Sequence, residues 1–284
     1  MDRQTNVLVT GASSILMQQT CAKLIGKGFE FTGISRSSNN INQAIYTNWI
    51  TADLATCTEN IDFTGFDIII HAAACTHGFS YKDYAAINVN ATEALVEKAK
   101  QQRVANIVYI SSRTAVIGGG WYAETKLKAE NIILQNFPNA LIIRPAEVYG
   151  GTKQEGIDAF IEQVKTKRFI VYPAGVQDKM FPIYLDDATS MIANAIVAND
   201  EGITYVNGPE GFTLKEFLKS ISNSLNKHPI LIPLPAYFIA FICFLQYYLK
   251  LRIGVYPDQM KRLSVKKQHI TPPNFVNKIS DIIK

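Results

Sequence analysis

The sequence predicts an α/β fold built on a doubly wound parallel sheet, with a smaller C-terminal substrate-binding region. Short β-branched runs alternate with helical stretches in the first half, and these runs are apolar throughout rather than at every second residue. Continuous apolar strands are typical of a sheet buried on both faces, and right-handed strand–helix alternation winds such a sheet. The 284-residue chain is 48 % hydrophobic and 18 % charged, which excludes a disordered protein.

Six strands are predicted in the first half, each a short run rich in β-branched or aromatic residues. They are Asn6–Thr10, Phe29–Ser35, Asn48–Thr51, Asp67–Ala73, Asn106–Ser112 and Ala140–Arg144. Helical periodicity is clearest at Lys82–Gln102 and Trp121–Phe137. These two helices connect the fourth strand to the fifth and the fifth to the sixth, as parallel strands require.

The alternation weakens after the sixth strand. Apolar runs return at Phe169–Tyr172 and Met180–Tyr184, and Leu214–Leu225 has a helical pattern. We therefore expect a Rossmann-type dinucleotide-binding domain at 1–145. A mostly substrate-binding region at 146–284 would close over the carboxyl edge of the sheet, with part of it returning to the sheet.

One later segment, Ile230–Leu249, is apolar and holds no charged residue. Pro233 and Pro235 leave Ala236–Leu249 as its uninterrupted helix. Such a helix rises about 21 Å, which is short of the roughly 30 Å hydrocarbon core of a bilayer. The segment is expected to pack against the sheet or a second copy in a homodimer, or to make peripheral contact with a membrane.

The net charge of +4 arises in the C-terminal tail, which holds eight Lys or Arg and two Asp after Leu249. A basic tail can meet nucleic acid, anionic lipid or a phosphorylated substrate, but no groove-reading motif accompanies it, so nucleic acid is not expected. The four cysteines share no metal-ligand spacing, and the chain opens without a secretory signal. We expect a cytoplasmic protein, peripheral at the membrane in one alternative, with no metal site.

The first strand–helix junction has the features of a dinucleotide site. Such a site needs a tight turn after a strand and a helix N-terminus aimed at the pyrophosphate. Gly11 fits the turn, although Ser14 and Met17 stand where two further glycines would fall. The candidate contacts are Gly11, Ser13, Ser14 and Ile15.

The end of the second strand indicates which dinucleotide is bound. Arg36 stands among Ser35, Ser37 and Ser38. An acidic residue at this place suits the ribose hydroxyls of NAD, whereas an arginine suits the 2′-phosphate of NADP. The sequence favours NADP, with NAD as the alternative.

Tyr122 and Lys126 are four residues apart on a predicted helix, so they share one face. A nearby ammonium stabilises tyrosinate and lowers the pKa of a phenol from its ordinary value of about 10. The pair is therefore a candidate general acid/base beside a nicotinamide.

Seven motifs now occur in order along the chain. They are Thr10-Gly-Ala, Asp53-Leu, His71-Ala-Ala-Ala, Asn88-Val-Asn-Ala-Thr, Tyr109-Ile-Ser-Ser, Tyr122 with Lys126, and Arg144-Pro-Ala-Glu-Val-Tyr-Gly. Together they resemble the extended short-chain dehydrogenase/reductase superfamily, in its NAD-dependent epimerase/dehydratase branch. The resemblance covers most of the chain and continues weakly to the Tyr256-Pro-Asp-Gln stretch.

The resemblance implies the cofactor contacts residue by residue. Asp53 and Leu54 would face the adenine ring, three alanines would lie under the cofactor ribose, and Pro145 would lie near the nicotinamide. The three alanines are Ala72, Ala73 and Ala74. By itself, Asp53 also suits a helix N-cap, and His71 suits a packed core histidine.

The resemblance also implies a catalytic set. Tyr122 corresponds to the catalytic tyrosine, Lys126 to the lysine that holds the nicotinamide ribose, and Ser112 to the hydroxyl residue that hydrogen-bonds the reacting group. Asn90 corresponds to a structural asparagine.

The position of the catalytic serine depends on where one inserted residue falls. Counting forward from the strand selects Ser112, whereas counting backward from Gly118 selects Arg113, with Thr114 as the further alternative. Dehydratases of this branch carry an acidic residue just after that position. Arg113 and Thr114 follow Ser112, so the resemblance favours an epimerase or a ketoreductase.

The resemblance implies an NADP- or NAD-dependent enzyme that acts on a nucleotide-activated sugar, with hydride transfer at a sugar carbon, C4 in the first instance. The Arg36 indication of NADP favours reduction. One alternative is a membrane-surface enzyme acting on a lipid-linked sugar, indicated by 230–249. Another is a non-catalytic NADP-binding regulator, which fold alone never excludes, although this chain keeps the Tyr122–Lys126 pair.

Overall fold

The computed structural model describes residues 4–37, 41–151, 156–248, 258–268, 271–273 and 276–283. The strands are β1 (Thr5–Thr10), β2 (Phe29–Ser35), β3 (Asn48–Thr51), β4 (Ile68–His71), β5 (Asn106–Ile110), β6 (Leu141–Pro145), β7 (Val148–Tyr149), β8 (Phe169–Pro173), β9 (Ile183–Tyr184), β10 (Gly202–Val206) and β11 (Ile230–Leu234). The helices are α1 (Ile15–Leu24), α2 (Leu54–Cys57), α3 (Tyr81–Ala85), α4 (Thr92–Gln101), α5 (Trp121–Asn136), α6 (Ile157–Thr166), α7 (Leu185–Val197), α8 (Leu214–Ser224), α9 (Ala236–Tyr248), α10 (Gln259–Ser264) and α11 (Ile279–Ile282).

The central sheet has seven parallel strands in the order β10-β6-β5-β4-β1-β2-β3. The order reverses direction on either side of β1, which is the doubly wound arrangement that the sequence predicts. The six predicted strands are all present and end within two residues of their predicted limits. The seventh, β10, comes from the second half of the chain and pairs with β6.

Helices cover both faces of this sheet because the strand side chains alternate between them. Val7 and Val9 of β1 face α1 and α7, whereas Leu8 between them faces α4 and α5. All three side chains are fully buried. The apolar runs of the sequence are therefore strands with both faces in a core.

The second region has its own apolar core, built from α6, α8, α11 and β8. Two small parallel pairs belong to it, β7 with β9 and β8 with β11. The start of the apolar segment is thus a strand, Ile230–Leu234, and Pro233 is accommodated because β11 lies at an edge. The helical part, α9, begins at Ala236 as predicted, while Leu249 lies outside the described residues.

The long helix predicted at Lys82–Gln102 is interrupted. α3 is followed by a π-helical turn, Ala86–Ala91, before α4 begins. Within the described ranges, none of the helices is both long and apolar enough to cross a bilayer.

Candidate active site

The predicted cofactor contacts lie along the carboxyl edge of the central sheet. β3 leads into Asp53, β2 into Arg36, β1 into Gly11, β4 into Ala72 and β5 into Ser112. These strands are adjacent in that order, so the five positions follow one another across about four strand spacings, or roughly 19 Å. The crevice outside this edge is where open α/β sheets bind ligands.

Gly11 forms the tight turn after β1. Its φ is +65°, and a Cβ built there would lie 2.8 Å from backbone atoms of Ala72 and Ala73. Glycine is therefore required both by the backbone conformation and by the close approach of the chain after β4. Below this turn, His71 is fully buried between Thr10 and Thr92, whose hydroxyls lie 2.7 and 2.9 Å from its two ring nitrogens.

The N-terminus of α1 follows the turn directly. The Ser14 hydroxyl caps the helix by accepting a hydrogen bond from the Met17 N–H at 3.3 Å. Ser13 and Ser14 are exposed and Ile15 is half-buried, and the first turn holds no acidic residue. A helix end with free N–H groups and an uncompensated dipole, beside a glycine turn, fits the pyrophosphate of a dinucleotide.

At the far end of the edge, Arg36 is exposed after β2, while Ser38 lies outside the described residues. Asp53 caps α2 through a hydrogen bond from the Ala55 N–H at 3.0 Å. The Leu54 side chain packs into the core on the α4 and α5 face. Asp53 is thus a helix cap in this structure, and it lies at the carboxyl edge of the sheet after β3.

Hydrogen bonds from one asparagine hold the chain after β4 in place. Asn88, in the π-helical turn, exchanges hydrogen bonds with the backbone of Cys75 and donates to the Thr125 hydroxyl at 3.1 Å. It thereby ties the segment of Ala72, Ala73 and Ala74, all half-buried, to α5. The prediction that Asn90 is the structural asparagine is wrong: Asn90 is exposed, because the π-helical turn points Asn88 inward instead.

A cavity of about 790 Å³ opens beside the end of β5. Ser112, Tyr122 and buried Pro145 line one side of it, so three predicted residues meet there. Most of the remaining lining is apolar and comes from α6, β8, α9 and α10. This volume is within the range of about 300–1,000 Å³ that is usual for small-molecule sites.

Ser112 and Tyr122 form the chemical centre of the cavity. The Ser112 hydroxyl lies 2.9 Å from the Thr114 hydroxyl and accepts from the Thr114 N–H at 3.2 Å. Burial raises the pKa of Tyr122, while the charge of Arg262 and a hydrogen bond with Ser112 lower it. The structure therefore brings Ser112, rather than Arg113, to the phenol.

Lys126 lies beneath this centre rather than in the cavity lining. Its ammonium donates to the Ile110 carbonyl at 2.7 Å and lies 4.1 Å from the centroid of the Tyr109 ring. The side chain is 1 % exposed, and burial lowers its pKa to about 7, with Glu130 opposing the shift. The cation that most lowers the pKa of Tyr122 is Arg262 rather than Lys126.

The cation beside Tyr122 is Arg262, on α10, which sequence reasoning missed. Its guanidinium carbon lies 4.6 Å from the centroid of the Tyr122 ring. Asp258 pairs with Arg262 at 3.1 Å and accepts from the Tyr122 N–H at 3.1 Å, and Tyr84 donates to the same carboxylate at 2.8 Å. The weak motif at Tyr256-Pro-Asp-Gln was the available signal, since it contains Asp258.

Arg113, the residue that backward counting selects, turns inward and lines the cavity. It is 1 % exposed, its Nε donates to the Gln268 carbonyl at 3.0 Å, and its guanidinium lies 4.3 Å from the Phe181 ring. Nearby, Glu147 pairs with the buried Lys267 at 3.3 Å. The C-terminal segment thus supplies several groups around the cavity floor.

The doubly wound sheet, the glycine turn at a helix N-terminus and the Ser–Tyr centre define a dinucleotide-dependent short-chain dehydrogenase/reductase of the extended type. A family model confirms this class: residues 7–208 match the NAD dependent epimerase/dehydratase family. The chain belongs to this family, and the family and its structural neighbours indicate an NAD-dependent dehydrogenase or epimerase.

Three similar proteins give the range of the family. A ketoreductase of 4-hydroxy-2-methyl-3-oxo-4-farnesyl-3,4-dihydroquinoline-1-oxide from Stigmatella aurantiaca is 26 % identical over 187 residues, which cover 57 % of this chain and 55 % of that protein. A 3 beta-hydroxysteroid dehydrogenase/Delta 5-->4-isomerase from Mycobacterium tuberculosis is 26 % identical, over 56 % of this chain and 51 % of that protein. The chain therefore spans about half the length of the curated relatives it matches.

The third is a solved structure, Thermus thermophilus UDP-glucose 4-epimerase in complex with NAD. It superposes with a TM-score of 0.68 at 20 % identity, covering 92 % of this chain and 97 % of that one. At this identity, the likeness establishes the shared fold.

Proposed function

We propose that this protein is an NAD(P)-dependent epimerase or ketoreductase that moves a hydride between the nicotinamide and a carbon, C4 in the first instance, of a nucleotide-activated sugar. The observation that carries the proposal is the meeting of Ser112, Tyr122 and Pro145 at one side of a cavity, at the carboxyl edge of the sheet. The likeness in fold to a UDP-glucose 4-epimerase supports the choice of substrate.

In this proposal, each residue of the centre has one task. The bound cofactor supplies or accepts the hydride. Ser112 donates a hydrogen bond to the reacting oxygen, and Tyr122 gives that oxygen its proton in reduction and removes it in oxidation. Arg262 stabilises the tyrosinate form from 4.6 Å away, opposing the burial that raises the pKa of Tyr122.

Lys126 is proposed to hold the nicotinamide ribose, as the resemblance implies. Its ammonium already lies at the end of β5, bonded to the Ile110 carbonyl, and the chain of Ser112 continues from that strand. A change of rotamer on α5 would bring it to the crevice, where an anionic or hydroxyl partner would replace the carbonyl.

We also propose NADP rather than NAD as the cofactor in use. Arg36 is exposed at the end of β2, next to the turn at Gly11 that fits the pyrophosphate. An exposed guanidinium at this place can make a charge-assisted contact with a 2′-phosphate. Use of NADP favours a reductase over an epimerase, because a reductase must exchange its cofactor at each turnover.

A panel assay tests this proposal. Purified protein is incubated with UDP-, GDP- and dTDP-linked 4-keto sugars together with NADPH, and separately with NADH. The corresponding 4-hydroxy sugars are incubated with NADP⁺, and separately with NAD⁺. Oxidation of NADPH with one of the keto sugars supports a ketoreductase, and interconversion of two 4-hydroxy sugars without net cofactor consumption supports an epimerase. No turnover of any nucleotide sugar would refute the substrate assignment.

A second candidate substrate is a lipid-linked sugar, processed at a membrane surface. The apolar lining that β8, α6 and α9 contribute to the cavity favours it, since a nucleotide would need polar partners there. Two of the curated relatives, named for a farnesylated quinoline and for a hydroxysteroid, also act on apolar molecules. A cytoplasmic location and a homodimer stay predictions from the sequence.

A further inference from the structure

We propose that α9 docks on an anionic phospholipid bilayer, together with the outer face of the β8–β11 pair. The opposite side of α9 lines the path by which the apolar part of an amphiphilic substrate enters the cavity from that bilayer. This inference rests on the second candidate substrate proposed above. It assigns to α9 two tasks, one on each of its sides.

The outer side of α9 is an exposed aromatic surface. Its members are exposed apolar side chains on one side of the helix, namely Tyr237 (68 %), Phe238 (46 %), Phe241 (58 %), Phe244 (62 %) and Leu245 (39 %). Soluble proteins seldom expose so many large apolar side chains in one continuous patch, and such patches mark protein or membrane contacts.

The inner side of the same helix is a wall of the cavity. Ile239 and Ile242 line the cavity, and Cys243 beside them is buried. At 100° per residue, these three residues cover the opposite half of the helix from Phe241 and Phe244. An ordinary surface helix is apolar on one side only, so a helix that is apolar on both sides needs a second apolar neighbour.

The β8–β11 pair extends the exposed apolar surface. Phe169 pairs with Ile230 and Val171 with Ile232, and all four side chains are between 40 % and 53 % exposed. The alternate residues of β8, Ile170 and Tyr172, point to the core. This strand pair runs directly into α9 through Pro235.

Charge selects the bilayer over a protein partner. The two segments that carry this strand pair, 165–171 and 227–234, hold four cations and no acidic residue. The cations are Lys165, Lys167, Arg168 and Lys227, all exposed, at the start of the strands. Basic residues beside an exposed apolar surface attract anionic headgroups. A bilayer offers both the apolar medium and the negative charge.

The cavity connects this surface to the chemical centre. Its lining runs from Tyr122 and Ser112 to Val171 and Leu234, the strand residues beside α9, and to Ile239 on the helix itself. A substrate whose sugar lies at Tyr122 would thus place an attached apolar chain against α9, next to the docked bilayer. The substrate class is a sugar or other alcohol joined to a lipid through a phosphate or similar headgroup.

The experiment separates the two sides of α9. Vesicle binding is measured by co-sedimentation with phosphatidylcholine–phosphatidylglycerol vesicles at low and high salt, and cavity binding by titration calorimetry with dodecyl phosphate below its micelle concentration. The outer variant is Phe241→Ser with Phe244→Ser, and the inner variant is Ile242→Trp. Val197→Ser, an exposed apolar residue on α7, is the matched control.

The outer variant should lose at least 10-fold in vesicle affinity and keep its affinity for dodecyl phosphate, and the inner variant should do the reverse. Ala159→Leu, which narrows the cavity from α6, replaces Ile242→Trp if that variant does not fold. Wild-type binding to the anionic vesicles should fall at high salt. Neither binding assay requires turnover, so a failure of the proposed chemistry would be visible separately.

Three outcomes would overturn the inference. Wild-type protein that binds no vesicles at low salt would exclude the bilayer. A dimer in sedimentation velocity that the outer variant converts to monomer would assign the surface to a second copy of the chain. Equal affinity for dodecyl phosphate in wild type, Ile242→Trp and Ala159→Leu would show that the cavity does not bind an apolar substrate.

Discussion

Removing the charge of Arg262 tests whether this arginine sets the protonation of Tyr122. The perturbation is Arg262→Met, which keeps much of the side-chain volume. Arg262 lowers the pKa of Tyr122, whereas burial and the neighbouring Asp258 raise it, so the variant should have a higher Tyr122 pKa. Oxidation of the substrate requires Tyr122 to accept a proton, so the rise of the oxidation rate with pH should move to higher pH.

The same substitution has a calculable effect on stability. Arg262 pairs with Asp258, whose side chain is 3 % exposed, and also donates at 3.0 Å to the Tyr84 hydroxyl and to the Thr76 carbonyl. Breaking a buried ion pair by removing one partner costs about 3–5 kcal/mol, because the other charge stays buried. We expect the lower end of that range, since the Arg262 side chain is 15 % exposed. Adding Asp258→Asn should restore part of the loss.

The assays are urea unfolding and the pH dependence of kcat for substrate oxidation. Lys261→Met, a substitution of the exposed neighbour on α10, is the matched control and should change neither quantity. An Arg262→Met variant with the wild-type pH profile would refute the electrostatic role, whatever its stability. An unchanged urea midpoint would refute the buried ion pair.

Three further predictions concern the cofactor edge and the buried lysine. Gly11→Ala should lower stability by about 1–3 kcal/mol and weaken cofactor binding. Gly26→Ala, at φ +77° with nothing within 4 Å of its Cβ, should strain the backbone without affecting cofactor binding. Equal cofactor affinities for the two variants would contradict the role of the Gly11 turn in binding the pyrophosphate. Arg36→Asp should weaken NADP binding by about 1.5–3 kcal/mol and leave NAD binding nearly unchanged in fluorescence titrations, and equal changes for both would exclude a 2′-phosphate contact. Burial lowers the pKa of Lys126 from 10.5 to about 7, so between these pH values the unfolded chain binds more protons than the folded protein. The urea midpoint should therefore rise with pH across that window, and Lys126→Met should flatten the rise. An identical slope in wild type and variant would refute the burial of the Lys126 ammonium.

The inner strands of the central sheet were predictable because they are buried on both faces. A strand such as Ile68–His71 then reads as a continuous apolar run, and its limits follow from the polar residues around it. The carboxyl-edge positions of Gly11, Arg36 and Ser112 follow from the parallel order alone, because every crossover returns the chain to the same edge. The placement of these three residues therefore depends only on the parallel strand order, which the alternation of strands and helices in the sequence predicts.

The surroundings of Tyr122 were not predictable in the same way. Spacing along a helix placed Lys126 on the same face, but the lysine side chain is long enough to turn down to the Ile110 carbonyl. Arg262 reaches Tyr122 from 140 positions further along the chain, through a contact that no local period encodes. The π-helical turn at Ala86–Ala91 likewise shifted the inward asparagine from Asn90 to Asn88, because one turn with a wider period changes which residues face inward.

The strand at Ile230–Leu234 illustrates a different limit. Its apolar residues are half exposed, although the apolar composition of the strand is typical of a buried segment. The composition of this segment could not show whether it is buried in the core or forms a surface that contacts another apolar partner. Only the position of α9 against the cavity distinguishes these two alternatives.

The central claim is that Tyr122 exchanges a proton with the reacting oxygen, and Tyr122→Phe tests it most directly. Turnover of the keto sugar identified in the panel assay, or of the lipid-linked one, is measured together with NADPH affinity for wild type and variant. The account predicts a loss of about 10²–10⁴-fold in kcat with nearly unchanged NADPH affinity, because the phenol hydroxyl acts on the substrate and not on the dinucleotide. A variant that turns over at the wild-type rate would contradict the account and leave the fold as that of an NADP-binding protein with its chemistry elsewhere.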